Sequence, residues 1–329
     1  MGPAPQGPAH QKEKAPTRGL FLLKQGMCIG FQASFIIATM DTTEDIKDSP
    51  QSSLAAAWAE LQAHAEHGEP LEPDAYRVAF ADPEFLLRKE IRGIRFQLEL
   101  LKPELNLQAA GVHNTVVVFG SARFIAPDVA ETQLADARAK GEPRAIALAE
   151  RALRTSAYYE QSREFGRLVA QYSLSLPQEE KLFICTGGGP GVMEAANRGS
   201  HDIGVPSVAL NITLPHEQSA NPYVTPNLSF KFHYFALRKM HFLMRAKALI
   251  VFPGGFGTLD ELFEVLTLVQ TKKTKPVPIV LCGSSYWNQM LHLDTLVDEG
   301  TISPEDLNLF TKVDTAADAW AVVRDFYKL

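Results

Sequence analysis

A glycine-rich turn followed by two acids is the segment of this sequence best suited to chemistry. It reads FPGGFGTLDELFEV over residues 252–265 and directly follows the apolar run ALIV at 248–251. A turn of this kind between a strand and a helix exposes backbone N–H groups, which bind phosphate well. Thr258 can add a hydroxyl to these amides, and Asp260 and Glu261 follow at once. The segment predicts an anion site with a carboxylate beside it.

Glu261 has two interpretations on spacing alone. In the first, Thr258 and Glu261 form a capping box, in which the glutamate reaches back to the cap amide. In the second, Glu261 is a chemical group near the exposed mouth of the turn. The helix then buries a stripe of four apolar residues, Leu259, Leu262, Phe263 and Leu266. Spacing does not decide between the cap and the chemical role.

A second glycine turn occurs in TGGGPGVMEAANRG at 186–199. It lacks the dinucleotide pattern G-x-G-x-x-G, because Val192 stands where the last glycine would fall. The pattern G-x-x-x-x-G-K-[ST] of a nucleoside triphosphate loop is also missing from the sequence. A glycine turn can simply let a strand and a helix pack closely. Two such turns at neighbouring strand ends, however, indicate a phosphate or nucleotide site.

The segment ALRKMHFLMRAK at 236–247 is a candidate source of cations for that site. Helical spacing places Arg238, His241 and Arg245 on one face. The same spacing predicts that the opposite, buried face carries Met240, Leu243 and Met244. A solvated basic face is the more common use of such a pattern. A nucleotide in the glycine turns would nonetheless need cationic partners, and this helix leads into the strand that carries the first turn.

The elements that position these residues form an alternating pattern from residue 114 onward. Five apolar runs predict strands at 115–120, 182–188, 207–212, 248–255 and 276–283. Helical spacing lies between them at 163–174, 191–199, 235–247 and 259–270. Apolar strands separated by helices are typical of an α/β fold with a Rossmann-like, doubly wound parallel sheet. Ligands of such sheets bind at the carboxyl ends of strands.

The remaining segments define three predicted regions. Residues 1–50 are interpreted as disordered or as an upstream extension, with 1–39 outside the fold. Residues 51–111 are predicted to form a helical preface that packs on the core, with helical spacing at 52–66 and 83–102. Residues 112–329 are predicted to form a Rossmann-like nucleotide-binding domain, the candidate catalytic domain, and charged residues at 131–163 predict an exposed helical insertion between its first two strands.

Composition restricts the class of protein. The 329 residues carry a net charge of −6, which argues against a general nucleic-acid or membrane surface. The three cysteines, Cys28, Cys185 and Cys282, are far apart and fit no zinc or disulfide spacing. Buried reduced thiols and a cytoplasmic location are therefore expected.

The combination of motifs resembles the LONELY GUY (LOG) family of cytokinin riboside 5′-monophosphate phosphoribohydrolases. PGGFGTLDE at 253–261 matches the family motif P-G-G-x-G-T-x-x-E, and Arg238-Lys239 matches its Arg-Lys pair. GGGPGVME at 187–194 resembles the second glycine motif, and FGSAR at 119–123 resembles the first strand loop. The helical preface and the insertion resemble the longer bacterial members.

This resemblance implies an enzyme that hydrolyses the N-glycosidic bond of a nucleoside 5′-monophosphate such as AMP or a cytokinin riboside monophosphate. It implies that Glu261 and Arg238 are catalytic and that no metal or other cofactor is needed. The glycine turn, with Gly254, Gly255, Phe256, Gly257 and Thr258, would hold the substrate's 5′-phosphate. The other implied substrate contacts are Lys239, Glu217, Thr267, Gly188, Gly189 and Glu194.

Two alternatives remain open at this level. One is a broad purine or pyrimidine nucleotide nucleosidase without a hormone role, and the other is a nucleotide sensor or carrier without turnover. A passive binder would not need Arg238 and Glu261 together, which favours the enzyme. The family label lysine decarboxylase is not favoured, because no pyridoxal-lysine context such as Ser-x-His-Lys occurs. The expected partners are the substrate and further copies of the chain in a homodimer or larger homo-oligomer, with neither nucleic acid nor membrane.

Overall fold

The computed structural model describes residue 75 and residues 77–213 and 219–329. The predicted N-terminal extension and the helix at 52–66 lie outside these residues, as does Glu217. No helix within the described ranges is both long enough and apolar enough to cross a membrane.

The described chain is built on one seven-stranded sheet in which every neighbouring pair is parallel. Its strands are β1 Asn114–Phe119, β2 Leu182–Thr186, β3 Val208–Ile212, β4 Ser229–Phe232, β5 Ala246–Val251, β6 Ile279–Cys282 and β7 Thr311–Val313. They lie in the order β4-β3-β2-β1-β5-β6-β7. The order reverses direction after β1, so β1 and β5 flank the switch point at which such sheets bind ligands. The predicted α/β fold with a doubly wound parallel sheet is confirmed.

The core lies on both faces of this sheet. In β1, Val117 and Phe119 belong to one apolar cluster, whereas Val116 and Val118 belong to the cluster on the other face. Residues 116–118 have no exposed surface. Burial on both faces explains why the strands read as continuous apolar runs rather than as alternating ones.

Ten α-helices occur within the described residues. They are α1 Pro83–Leu87, α2 Arg92–Ala109, α3 Pro127–Lys140, α4 Pro143–Ser173, α5 Val192–Asp202, α6 Phe235–Met244, α7 Phe256–Gln270, α8 Ser284–Met290, α9 Asp294–Asp298 and α10 Ala316–Tyr327. Helix α2 contacts the segment before α6 through the Glu99 carboxylate, which accepts hydrogen bonds from the backbone N–H groups of His233 and Tyr234. The Glu104 carboxylate also forms an ion pair with Arg245 at 2.7 Å.

The segment predicted as an exposed insertion is helical but is not separate from the core. Gly141, with a φ of 73°, ends α3, and Pro143 begins the 31-residue helix α4. Helix α4 continues without a break through the predicted helix at 163–174 and buries Tyr159, Ser162 and Phe165. More than half of residues 131–163 are exposed, in agreement with the prediction, while the buried side of α4 packs against α5.

Candidate functional site

A cleft of about 520 Å³ opens at the carboxyl ends of β1 and β5. Four segments converge on it: the β1–α3 loop from Gly120 to Arg123, and the starts of α5, α6 and α7. Arg238 and Glu261, which are distant in the sequence, both line it. The fold therefore brings the two predicted catalytic residues to one cavity at the switch point of the sheet.

The turn at 253–258 contributes residues 255–258 to the lining of this cleft. Strand β5 ends at Val251, and α7 begins at Phe256 with Gly255 as its N-cap and with no side-chain cap. The first backbone N–H groups of a helix have no acceptor within it, so those of Phe256, Gly257 and Thr258 are left for another partner. A Cβ placed on Gly255 or Gly257 would meet no atom within 4 Å. The amides at this helix end are therefore accessible from the cleft.

The capping interpretation of Glu261 is excluded by where α7 begins. Thr258 is the third residue of the helix rather than its cap, and a Cβ on Gly254 would collide with its hydroxyl. The predicted stripe is also displaced. Glu261 is buried, with 5% of its surface exposed, whereas Phe263 is 38% exposed. The carboxyl group of Glu261 thus lies in the interior of the cleft rather than at an exposed mouth.

Burial sets the protonation of this carboxyl. Loss of solvent raises the pKa of Glu261 to about 7. The positive charges of Arg238 and Lys239 oppose this rise, and the negative charges of Glu264 and Asp260 add to it. A pKa near 7 means that neutral and ionised forms are both populated at neutral pH. Such a group can both accept and release a proton during a reaction.

Arg238 is held from three sides. Its Nε donates a hydrogen bond of 2.7 Å to the carbonyl oxygen of Leu210 in β3. Its guanidinium lies 5.0 Å from the ring centroid of Phe242, and a Cβ on Gly187 would come within 2.6 Å of its Nη2. Burial lowers the pKa of Arg238, and the nearby carboxylate of Glu261 opposes this effect. Arg238 is therefore a fixed, partly desolvated charge in the cleft.

The sequence-based division of α6 into faces was wrong. The helix buries Leu237, His241 and Phe242, while Met240 and Met244 are 49% and 48% exposed. Tertiary hydrogen bonds draw the arginines inward, as the bond from Arg238 to Leu210 shows. Arg245 likewise donates to the Val112 carbonyl oxygen and pairs with Glu104.

Lys239 lies beside the site and not in the lining of the cleft. Its Nζ is 2.8 Å from a carboxylate oxygen of Asp260 and 2.8 Å from one of Glu264. These two acids flank Glu261 on α7. Lys239 on α6 is therefore linked to α7 by ion pairs with the two acids that flank Glu261, the residue whose pKa is raised.

The turn at 186–191 is filled by the protein itself. Gly188 has a φ of 71°, and a Cβ there would come within 2.6 Å of Asn211 Nδ2. The backbone N–H of Gly188 donates to Thr186 Oγ1, and the carbonyl groups of Gly188 and Gly189 accept hydrogen bonds from Asn221. Gly188 and Gly189 do not line the cleft.

Other predicted contacts also lie elsewhere. Glu194, in the first turn of α5, accepts a hydrogen bond of 2.8 Å from the hydroxyl of buried Tyr159. Thr267 donates its hydroxyl proton to the Phe263 carbonyl and borders a different hollow, together with Leu293 and Phe310. Neither residue lines the cleft.

The cleft contains residues that were not singled out by sequence as site residues. They are Phe119, Gly120, Ser121, Ala122, Arg123, Met193, Phe235 and Asp260. The segment FGSAR was informative as a motif, but its position opposite α7 depends on pairing between β1 and β5. Among the described residues, His, Cys, Asp and Glu side chains form no group of three that could hold a metal ion.

Comparison with known proteins gives a consistent set of relatives. A family model described as "Possible lysine decarboxylase" matches residues 193–323. The probable cytokinin riboside 5′-monophosphate phosphoribohydrolase LOG4 of Oryza sativa subsp. japonica is 32% identical over 158 residues, 47% of this chain and 67% of that protein. The probable enzyme LOGL5 of the same organism is 30% identical over 143 residues, 43% of this chain and 57% of that protein. The chain thus spans between half and about two thirds of these relatives' lengths.

One solved structure to which this chain is similar is the molybdenum cofactor carrier protein from Chlamydomonas reinhardtii. It is 16% identical, with a TM-score of 0.38, and the match covers 66% of this chain and 99% of that chain.

Proposed function

Because this chain belongs to the LOG family, whose curated members are named cytokinin riboside 5′-monophosphate phosphoribohydrolases, we propose that it hydrolyses the N-glycosidic bond of a nucleoside 5′-monophosphate. The products are the free base and ribose 5-phosphate. One observation carries the proposal: the buried carboxyl group of Glu261 and the fixed guanidinium of Arg238 line one cleft beside the uncapped N-terminus of α7.

The chemistry assigns a role to Glu261. When the bond between C1′ and the base nitrogen breaks, its electron pair leaves with the base and positive charge develops on the sugar. An ionised Glu261 beside C1′ stabilises that charge. Water then adds to C1′ and gives a proton to the carboxylate, while the departing base takes up a proton from solvent at nitrogen. Glu261 afterwards releases its proton to solvent, which regenerates the carboxylate. The raised pKa of Glu261, about 7, suits a group that gains and loses a proton in each cycle.

Arg238 is proposed to orient the substrate and to assist departure of the base. Its guanidinium is fixed by Leu210 and packed against Phe242, so little side-chain freedom is lost on binding. Lys239 acts through α7: its ion pairs with Asp260 and Glu264 hold the helix that carries Glu261.

The turn that includes Gly254, Gly255, Phe256, Gly257 and Thr258 is proposed to hold the 5′-phosphate. Its amides are uncapped and Gly255 and Gly257 leave open space, whereas Gly254 packs against Thr258; uncapped amides are what anions bind at helix N-termini. Binding energy from the phosphate, which does not react, then positions C1′ against Glu261.

AMP and cytokinin riboside monophosphates are the proposed substrates. The main alternative is a nucleotide carrier that does not turn its ligand over. The buried Glu261 favours catalysis, because a passive site for an anionic nucleotide gains nothing from a desolvated carboxyl group. A pyridoxal-type decarboxylase is not favoured, because no lysine belongs to the lining of the cleft in the described part of the chain.

The test is incubation with a panel of nucleoside 5′-monophosphates, including AMP, CMP and isopentenyladenosine monophosphate, with chromatographic measurement of released base. We expect base and ribose 5-phosphate in equal amounts from at least one purine member. Binding of AMP without release by the wild-type protein would contradict the proposal and support the carrier. Comparable rates on AMP and CMP would indicate a broad nucleosidase.

We also propose that the protein works as a homodimer or larger homo-oligomer in the cytoplasm. Phe235, Met240, Met244 and Phe263, on α6 and α7, are each at least 38% exposed, more apolar surface than one helix face usually leaves to solvent. The buried free thiols of Cys185 and Cys282 fit a reducing compartment. Light scattering at micromolar concentration checks the assembly, and a mass of 36.3 kDa, that of one chain, would contradict it.

A further inference from the structure

Arg123 also lines the cleft, and the function assigned above gives it no role. It belongs to the β1–α3 loop, it is exposed, and it lines the same cavity as Gly255, Gly257 and Thr258. Its guanidinium makes no ion pair or side-chain hydrogen bond within residues 77–213 and 219–329. The loop therefore presents an uncommitted positive charge to the cleft.

The loop that carries Arg123 is fixed by both glycine turns. The backbone N–H of Ser121 donates a hydrogen bond of 2.9 Å to the Pro253 carbonyl oxygen. The Ser121 carbonyl oxygen accepts one of 3.1 Å from the N–H of Val192. The Arg123 N–H in turn donates to Ser121 Oγ at 3.1 Å. The backbone at Arg123 is thus fixed by Ser121, two residues earlier, which is hydrogen-bonded to the segments of both glycine turns.

The other charges near the cleft already have partners. Arg238 donates to Leu210 and interacts with the carboxylate of Glu261. Asp260 is neutralised by Lys239. A phosphate monoester carries a charge of about −1.5 to −2 at neutral pH, whereas a helix N-terminus offers about half a positive charge. The phosphate of the proposed substrate therefore needs a further cation, and Arg123 supplies one.

We propose that Arg123 is a specificity-determining residue that binds the substrate's 5′-phosphate opposite the N-terminus of α7. It distinguishes nucleotides from nucleosides by a charge-assisted hydrogen bond from its planar guanidinium. This inference rests on the proposed function for its substrate, because it names a further residue of the same site.

The first experiment compares hydrolysis of AMP and adenosine by the wild type, Arg123→Gln and Arg123→Lys. Arg144→Gln is the matched control, because Arg144 is exposed on α4 and does not line the cleft. We expect Arg123→Gln to raise KM for AMP by about 10- to 100-fold, in keeping with loss of a hydrogen bond to a charged group. Any slow adenosine hydrolysis should be unchanged, Arg123→Lys should recover part of the loss, and Arg144→Gln should match the wild type.

The second experiment does not require turnover. Titration calorimetry measures binding of ribose 5-phosphate and of ribose to the same four proteins. We expect the weakest binding of ribose 5-phosphate in Arg123→Gln, an intermediate loss in Arg123→Lys and none in Arg144→Gln, with binding of ribose unaffected in all of them.

The outcomes separate the two proposals. Unchanged AMP kinetics and unchanged ribose 5-phosphate binding in Arg123→Gln would overturn the role of Arg123 and leave the hydrolase intact. Equal losses on AMP and adenosine would also overturn it, because they indicate a general effect on the cleft. If the wild type hydrolyses no nucleotide but binds ribose 5-phosphate through Arg123, the role of Arg123 stands and the proposed hydrolysis fails.

Discussion

The turns at 186–191 and 253–258 use the same residue type for opposite purposes. In the first turn, a Cβ on Gly187, Gly188 or Gly191 would strike the protein at 3.0 Å or less, and two of these glycines have positive φ angles. In the second turn, Gly255 and Gly257 face open space. Gly255 has an extended backbone and Gly257 lies in helix α7, so neither has a positive φ angle. The first turn is filled by Arg238, Asn211 and the Ser121 loop. In the second turn Thr258 fills the space at Gly254, whereas Gly255 and Gly257 stay open and are proposed to face a ligand.

This difference shows that glycine content alone does not identify a ligand site. The 186–191 turn supports the site indirectly, because the absence of a side chain at Gly187 makes room for the guanidinium of Arg238. The 253–258 turn supports it directly, through uncapped amides next to Glu261. Substitutions in the two turns should therefore separate effects on stability from effects on activity.

The largest effect is expected at the helix that follows the open turn. Glu261→Gln keeps the shape of the side chain but removes the charge that meets the developing cation. The rate of base release from AMP should fall on the order of a hundredfold or more. Near-wild-type turnover by a variant with a normal thermal melt would remove Glu261 from the mechanism.

A change in the filled turn should act on stability. Gly188→Ala places a Cβ at a φ of 71° and within 2.8 Å of the Ala209 Cβ. We expect a loss of about 2–3 kcal/mol in the free energy of unfolding, measured by urea denaturation. A variant as stable as the wild type would show that the turn is looser than its contacts indicate.

The matched change in the open turn should act on activity instead. Gly255 has an extended backbone (φ −93°, ψ −157°) that alanine adopts readily, and the Cβ introduced by Gly255→Ala would meet no atom within 4 Å. The melting temperature should be unchanged, while kcat/KM for AMP should fall about tenfold because the methyl group blocks approach to the amides. Gly93→Ala is the control, since Gly93 also has open space but lies on α2 away from the cleft. Full AMP activity in Gly255→Ala would mean that the phosphate binds elsewhere.

The raised pKa of Glu261, which follows the open turn, also predicts a pH dependence of activity. If the ionised form of Glu261 is required, kcat/KM for AMP should rise with pH through about 7 and lie about tenfold below its plateau one unit lower. Because folding raises this pKa above 4.5, its ordinary value in an unfolded chain, the contribution of Glu261 to stability is complete below pH 4.5 and is lost as pH rises through 7. The melting temperature of Glu261→Gln relative to wild type should therefore increase from pH 5 to pH 9. A constant difference would contradict the raised pKa.

The smallest effect is expected from the lysine that joins α6 to α7. The charge of Lys239 lowers the pKa of Glu261, so Lys239→Met should move the pH–rate profile upward by less than about one unit. Loss of the ion pairs should reduce the plateau as well, but only the shifted midpoint reports the electrostatic role. An unshifted midpoint would limit Lys239 to holding the two helices together.

Much of the fold was predictable because it depends on local pattern. The five continuous apolar runs predicted five of the seven strands and a parallel sheet, and the glycine turns after β2 and β5 predicted the edge that contains the cleft. The expectation that these two turns follow neighbouring strands was wrong, because β1 lies between β2 and β5. Strands β4 and β7 were missed because they have only four and three residues, and β7 is largely exposed at the end of the sheet. Such short segments become strands only through pairing with β3 and β6.

The sequence by itself determined that Glu261 follows a glycine turn, because the two are contiguous and any strand-to-helix connection keeps them together. Only the tertiary structure decided which turn is open, because the atoms that fill the first turn come from Arg238, Asn211 and Ser121. It also decided that Arg238 points inward, that Lys239 pairs with α7, and that Arg123 borders the cleft. Helical spacing cannot predict these placements, since each depends on hydrogen bonds and ion pairs between residues that are far apart in the chain.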